Sequence, residues 1–231
     1  MKVFIQLVVT PAILVGVAAS ASAQGFVNLD FERAALFVPP TPVGGYGTIH
    51  EDPTLLFPGW TIGNTGAGGY TYISYNNQTI DSPGVALIGP SFPNALSLTP
   101  LQGSYSAWLN EASINSFFGR PTLSQVGTIP SDARSINFLG VISDGAFSVG
   151  GTQLPLFDVG NGRWAADVTP YAGRSVEISF TTLPRPDGAF RTFIVDGIQF
   201  SPNVVPEPSI WVLSVLALGS AGLFGGRRRF K

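Results

Sequence analysis

Glycine and proline interrupt this chain along its whole length. Its 231 residues include 28 glycines and 19 prolines, spread without a fixed period. No stretch between Gln24 and Val204 keeps a 3.6-residue apolar spacing with caps for long enough to make a long helix. What the breaks leave intact is alternation. Val27, Leu29 and Phe31 fall on one side of a strand, with Asn28, Asp30 and Glu32 on the other. Tyr105, Ala107 and Leu109 alternate with Ser104 and Ser106, and Ile136 and Phe138 flank Asn137. Val176, Ile178 and Phe180 alternate with Ser175, Glu177, Ser179 and Thr181. Turn signals at Pro58-Gly59, Ser82-Pro83-Gly84, Asp144-Gly145, Gly160-Asn161-Gly162 and Asp187-Gly188 separate such runs. Short alternating runs between turns predict half-buried antiparallel strands in an all-β sandwich or barrel. The proline-rich stretch from Pro39 to Pro53 reads as an irregular surface loop.

Both ends are built differently. Lys2 is followed by an almost wholly apolar run from Val3 to Ala19 and then by Ala21-Ser22-Ala23. That order predicts a secretory signal peptide over 1–23, cut after Ala23 and read by the Sec export machinery, with an uncleaved anchor as the alternative. At the other end, 210–226 carries no charge and Arg227, Arg228 and Arg229 follow at once. As a helix, Ile210 to Phe224 spans roughly 22 Å, short of the ~30 Å hydrocarbon core of a bilayer. The arginines would hold the cytoplasmic side, and Pro206 and Pro208 disfavour helix before Ile210. Between the ends, 24–204 is long enough for one domain with a real core.

Charge narrows the functions. Of 12 basic and 14 acidic residues, Lys2, Arg227, Arg228, Arg229, Lys231 and Glu207 lie in the two ends, leaving seven arginines against thirteen carboxylates in the body. A lysine-free acidic body has no basic stripe for phosphates, so nucleic acid is not an expected partner. No cysteine is present, which removes disulfides, thiol catalysis and thiolate zinc sites. The single histidine, His50, has no partners at metal-ligand spacing, and no Gly-x-Ser-x-Gly elbow, phosphate loop or His-Glu-x-x-His occurs. The expectation is that the protein is not an enzyme. Paired carboxylates of the glycoside hydrolase type stay open as an alternative. A binding surface is suggested by Tyr70, Tyr72 and Tyr75 beside Asn76, Asn77 and Gln78, because rings stack on sugar faces and amides bind hydroxyls. The same pattern also suits an ordinary strand with core aromatics.

Scattered pieces of the body resemble the exported jelly-roll domains known as galactose-binding-like. They are Asn28-Leu-Asp-Phe-Glu32, Pro58-Gly-Trp60, Trp164 with Asp167-Val-Thr-Pro-Tyr-Ala-Gly173, Val176-Glu-Ile-Ser-Phe180, and Phe193-Ile-Val-Asp-Gly-Ile-Gln-Phe200. The resemblance implies a jelly-roll-type antiparallel β-sandwich. It also implies a structural calcium ion between the first and last strands, near Glu32 and Asp196. Asp196 has a physical problem of its own: alternation puts it on the inward face with Ile194, Ile198 and Phe200. A buried carboxylate must be paired, bound to a cation, or swung out by a bulge, for which Gly197 is suited.

The closing order is Val205-Pro206-Glu207-Pro208, apolar run, arginine cluster. It resembles the PEP-CTERM sorting signal of exopolysaccharide-producing Gram-negative bacteria. The resemblance implies an exosortase as partner, a transient hold in the inner membrane, processing near Pro206-Glu207-Pro208, and delivery to the cell surface or extracellular matrix. The combined expectation is a non-catalytic exported sandwich protein. A specific carbohydrate-binding module that contacts polysaccharide is the alternative, and a secreted glycoside hydrolase-like enzyme is a second.

Overall fold

The structure is a computed structural model that describes residues 25–35, 52–65, 71–77, 83–90, 98–111, 119–183 and 191–205. The expected signal peptide with Ala21 and Ala23, His50, Tyr70, Pro206, Glu207, Pro208, the apolar run 210–226 and Arg227, Arg228 and Arg229 all lie outside the described residues.

Among the described residues, twelve strands form two sheets. The strands are β1 (Thr61–Asn64), β2 (Tyr72–Tyr75), β3 (Gly84–Ile88), β4 (Ser106–Glu111), β5 (Pro121–Thr128) and β6 (Ser135–Ile142). Then come β7 (Gly145–Val149), β8 (Thr152–Leu154), β9 (Phe157–Gly160), β10 (Arg163–Asp167), β11 (Ser175–Thr182) and β12 (Arg191–Ser201). One sheet has the order β1-β5-β11-β7-β8 and the other β2-β3-β4-β12-β6-β10-β9. From β4 onward the chain repeatedly crosses between the sheets, as a jelly-roll-type sandwich does. The fold is the all-β sandwich expected, with one departure: β2 runs parallel to β3, so the larger sheet is mixed.

The core lies between the sheets, where the inward residues of both meet. Phe138, Phe147, Phe180 and Phe193 touch one another there, with ring centroids 5.1 Å apart for Phe147–Phe180 and 5.4 Å for Phe138–Phe180. In β11 the alternation holds as read: Ile178 and Phe180 are buried while Ser175 and Glu177 are exposed. β4 departs from it. All six of its residues are buried, because Leu98 and Leu101 cover the outer side of the sheet over Ala86, Ile88, Trp108 and Ile194. A polar–apolar alternation does not reveal a covered outer face.

The expected first strand over Val27–Glu32 is corrected. Asn28 and Phe31 take positive φ, 53° and 58°, which breaks the pleat. The segment instead folds as successive turns, with the Phe31 amide donating to the Asn28 carbonyl. For a buried phenylalanine this conformation costs about 1–3 kcal/mol. It persists because Phe31 is fully buried and stacks on Trp60 at 5.4 Å. A side chain replaces the missing ladder: the Val27 amide donates to Gln125 Oε1 (2.6 Å), and Gln125 Nε2 donates to the Val27 carbonyl (2.9 Å).

At one end of the sandwich, Glu111 and Arg191 face each other across β4 and β12 with Nη1 and Oε1 2.7 Å apart. Both are buried, and the Thr182 hydroxyl from the opposite sheet donates to Glu111 Oε2 (3.0 Å). The pair therefore ties the two layers together. Glu111→Ala leaves a buried guanidinium without its counter-charge and is expected to cost about 3–5 kcal/mol. Replacing both residues with apolar ones of similar volume is expected to recover most of that loss. Urea unfolding of the single and double variants checks both numbers.

Candidate functional site

Glu32 and Asp196 come together around the loop that leads into β4. Asp196 lies on β12, where the register shifts between Asp196 and Gln199 and Gly197 takes φ +54°, so the predicted bulge is present. The bulge does not deliver the carboxylate to water, as one sequence reading had it. Asp196 is 1% exposed. Its Oδ2 accepts from the Gln102 amide (2.9 Å) and the Ser106 hydroxyl (2.7 Å), and its Oδ1 from the Gly197 amide (2.6 Å). Ser106 Oγ also accepts from the Leu101 amide. The carboxylate remains inside because the chain supplies three donors to it.

Glu32 grips the same loop from the exposed side. Its Oε1 accepts from the amides of Ser104 (2.7 Å) and Tyr105 (3.0 Å). Between these anchor points Gly103 takes φ +59°, and a Cβ there would run into the Glu32 carboxylate. A side chain at 103 is thus excluded twice, by conformation and by space. The two acids hold 101–105 like a strap across the sheet, with Leu101 pressed on the outer apolar patch. Sequence reasoning found both acids but not their shared partner. Gly103 inside a polar loop was the available signal.

Burial pushes the Asp196 carboxyl up to about 6, and the nearby Glu32 charge adds to the rise against the pull of its three hydrogen-bond donors. Mutual repulsion of this kind is what a cation relieves. Among the described residues Glu32 Oε2 and Asp196 Oδ1 accept fewer hydrogen bonds than the other oxygen of each carboxylate, and these would hold the expected calcium, with backbone carbonyls completing its set of about six to eight oxygens. Among the described residues no third Asp, Glu or His joins them.

The tyrosines do not form one surface. Tyr72 and Tyr75 stand three positions apart at the two ends of β2, so the two rings leave opposite faces of the strand. Tyr75 packs with Ile73 against the core and meets Tyr105 edge-on at 6.4 Å. Burial raises its hydroxyl pKa. Tyr75 is half-buried and packs against the core. Tyr72 lies on the other face of this edge strand and is half-buried.

The tail begins where β12 ends. Ser201 is followed by Pro202, Asn203, Val204 and Val205, and the chain is pinned as far as Asn203. The Asn203 amide donates to Ser201 Oγ (3.1 Å), and its carbonyl accepts from Ser135 Oγ (2.8 Å). Val204 is already 55% exposed. The sorting residues thus follow the folded body with almost no spacer.

Residues 204–229 match the PEP-CTERM protein-sorting motif. No curated protein matches the sequence. Among solved structures the chain is weakly similar to TmCBM61 in complex with β-1,4-galactotriose, with TM-score 0.37, 13% identity, and coverage of 78% of this chain and 98% of that one. It is similar to the K2 cleaved adhesin domain of Lys-gingipain with TM-score 0.38, 14% identity, and coverage of 78% and 97%. It also matches the enzymatically active domain of bacteriophage CBA120 tailspike protein 4, with TM-score 0.38 and 17% identity over 68% of this chain. The chain spans 20% of the length of that tailspike structure. The sorting motif implies an exosortase-processed protein exported to the cell surface.

In the absence of metal, Asp196 has a definite pH signature. Its folded pKa lies above its unfolded value, so the folded state gains stability as pH falls from about 6 toward about 4. That contribution is lost as pH rises through 6, and its full size is at most about 3 kcal/mol. Chelator-treated protein should therefore melt higher at pH 5 than at pH 7 by more than Asp196→Asn does, and a melting series on the two proteins reads the difference. Bound calcium would reverse the order by holding Asp196 ionised, so the same series with added calcium tests the ion.

Proposed function

We propose that this chain, which carries a PEP-CTERM sorting motif over 204–229, is a non-catalytic exported sandwich protein. It is handed through its tail to the cell surface or the extracellular polysaccharide matrix. The division that goes with this reading is a leader over 1–23, a sandwich body over 24–204 and a sorting tail over 205–231. The observation that carries it is the tail itself: Pro206-Glu207-Pro208, then an uncharged run too short for a comfortable span, then three arginines. Such a segment engages the inner membrane briefly while exosortase acts, much as a GPI signal loses its hydrophobic tail.

A non-catalytic body fits the way its buried acids are used. Glu111 is committed to Arg191 and Thr182, and Asp196 to Gln102, Ser106 and Gly197. Neither retains the solvent access that a hydrolytic acid or base needs.

Glu207→Ala in an exosortase-bearing host is expected to leave the tail attached and the protein in the membrane fraction, whereas the parent sequence loses the mass of the tail and leaves the cell envelope. Intact mass and fractionation report both outcomes. Unchanged processing would mean that this tail is not read as a sorting signal.

A second reading, contact with polysaccharide, is favoured by the place of Tyr72 on the edge strand of the larger sheet among the described residues, on the face opposite Ile73 and Tyr75. An aromatic ring in that position can stack on a sugar ring. Pull-down of the full chain by the host's exopolysaccharide is expected to fall at least severalfold in Tyr72→Ala and to persist in Tyr72→Phe. Equal retention of all three proteins would remove Tyr72 from any glycan site.

A further inference from the structure

Both ends of the body leave the sandwich at one pole. Phe26 packs on Phe200 with centroids 5.4 Å apart, and Gly25 lies against Gly127 and Thr128 at the end of β5. β12 ends beside them at Ser201. The opposite pole carries Glu111 and Arg191. The apolar segments expected before Gln24 and after Ile210 are therefore tethered to the same face.

That face is built rather than frayed. The turn over 129–134, the turn over 168–174 and the exit at 201–203 are knitted by backbone hydrogen bonds. The Arg134 amide donates to the Ser201 carbonyl (2.8 Å) and the Val168 amide to the Arg134 carbonyl (3.1 Å). The Ile129 amide donates to the Arg174 carbonyl (3.0 Å), and the Gly173 amide to the Ile129 carbonyl (2.9 Å). Ser131, Asp132, Arg134, Thr169, Pro170 and Arg174 are exposed on it. The mixture of both charges with small polar groups suits a wet, transient contact rather than a permanent one.

The tether decides what meets this face. The chain is pinned at Asn203, and three residues later it is at Pro206. Three extended residues reach about 10 Å. A folded domain of only 100 residues already has a radius of gyration of about 13 Å. An enzyme that closes on Pro206-Glu207-Pro208 while the body is folded cannot avoid the pole. We infer that the pole formed by 129–134, 168–174 and 201–203 is a docking face for the sorting exosortase, which reads the folded body together with the motif. The inference rests on the sorting function proposed above and adds a second recognition surface to it.

The test uses the full chain expressed with its exosortase. A photocrosslinking residue at Ser131 is expected to give an adduct with the exosortase. An adduct with lipid alone would assign the pole to the bilayer and overturn the proposal, as would no adduct at all. In parallel, a flexible Gly/Ser linker of about 15 residues between Asn203 and Val204, with a root-mean-square span of roughly 20 Å, frees the motif from the pole. Arg134→Glu combined with Arg174→Glu alters the pole and keeps the tether. Each is expected to slow tail removal in a pulse-chase by about fivefold or more, the effect of losing one modest interface contact. Parent-like rates in both variants, with the melting temperature unchanged, would overturn the docking face. Glu207→Ala separates the two layers of the argument: if it too is processed normally, the sorting function itself fails.

Discussion

The sandwich depends on β12. In the larger sheet this strand pairs with β4 on one side and β6 on the other, so β2-β3-β4 and β6-β10-β9 are joined through it. It contributes Phe193 and Val195 to the space between the sheets and Ile194 to the patch outside. It also carries Arg191 at one end and the Asp196–Gly197 bulge in the middle. Without β12 the larger sheet is two fragments, each with an unpaired edge. β12 is the last of the described strands, so the sheet closes only when nearly all of the body's chain is available to fold.

Two buried carboxylates show different solutions to one problem. Glu111 keeps its charge inside by pairing with an arginine, and the pair joins the layers. Asp196 has no ion-pair partner among the described residues and instead draws amide and hydroxyl donors from the loop before β4, from β4 and from its own bulge. The second solution is weaker, because dipoles do not cancel a charge, and burial leaves Asp196 with a pKa near 6. What it provides is position. The strap over 101–105 is fixed from both sides by Asp196 and Glu32, and Leu101 is thereby held over Trp108 and its neighbours.

The fold class was legible because alternation and turn chemistry pointed the same way along most of the body. β11 is the clearest case, with Phe180 and Ile178 inward and Glu177 outward as read. Three features differ from the reading. The stretch from Val27 to Glu32 alternates perfectly yet is not a strand, because Asn28 and Phe31 adopt left-handed backbone that tertiary stacking on Trp60 enforces. β4 alternates yet is buried on both faces, since the irregular segment just before it folds back over its outer side. Tyr75 reads as close behind Tyr72, but three positions along a strand put the two on opposite faces, with Tyr75 against the core. The first two failures share a cause: local pattern reports which side of a strand is apolar and is silent about what packs on it, whereas the Tyr75 face follows from the strand period itself. At the site, Glu32 and Asp196 were found individually, whereas their common grip on Gln102, Ser104 and Tyr105 joins residues 72 to 94 positions apart.

On the sorting function proposed above, the closeness of Asn203 to Pro206 in sequence ties completion of the fold to the sorting step. Until β12 is seated, Ser201 and Asn203 lack their bonds to Arg134 and Ser135, and the residues before the motif are an unpinned stretch of polypeptide. Seating β12 fixes Asn203, shortens the free tether to Val204 and Val205, and assembles the pole beside the motif in the same event. A body that has not closed its larger sheet therefore offers the motif without the pole, and a closed one offers both. On the sorting function proposed above, the short tether makes β12 a structural report, next to the motif in sequence, that the body is complete.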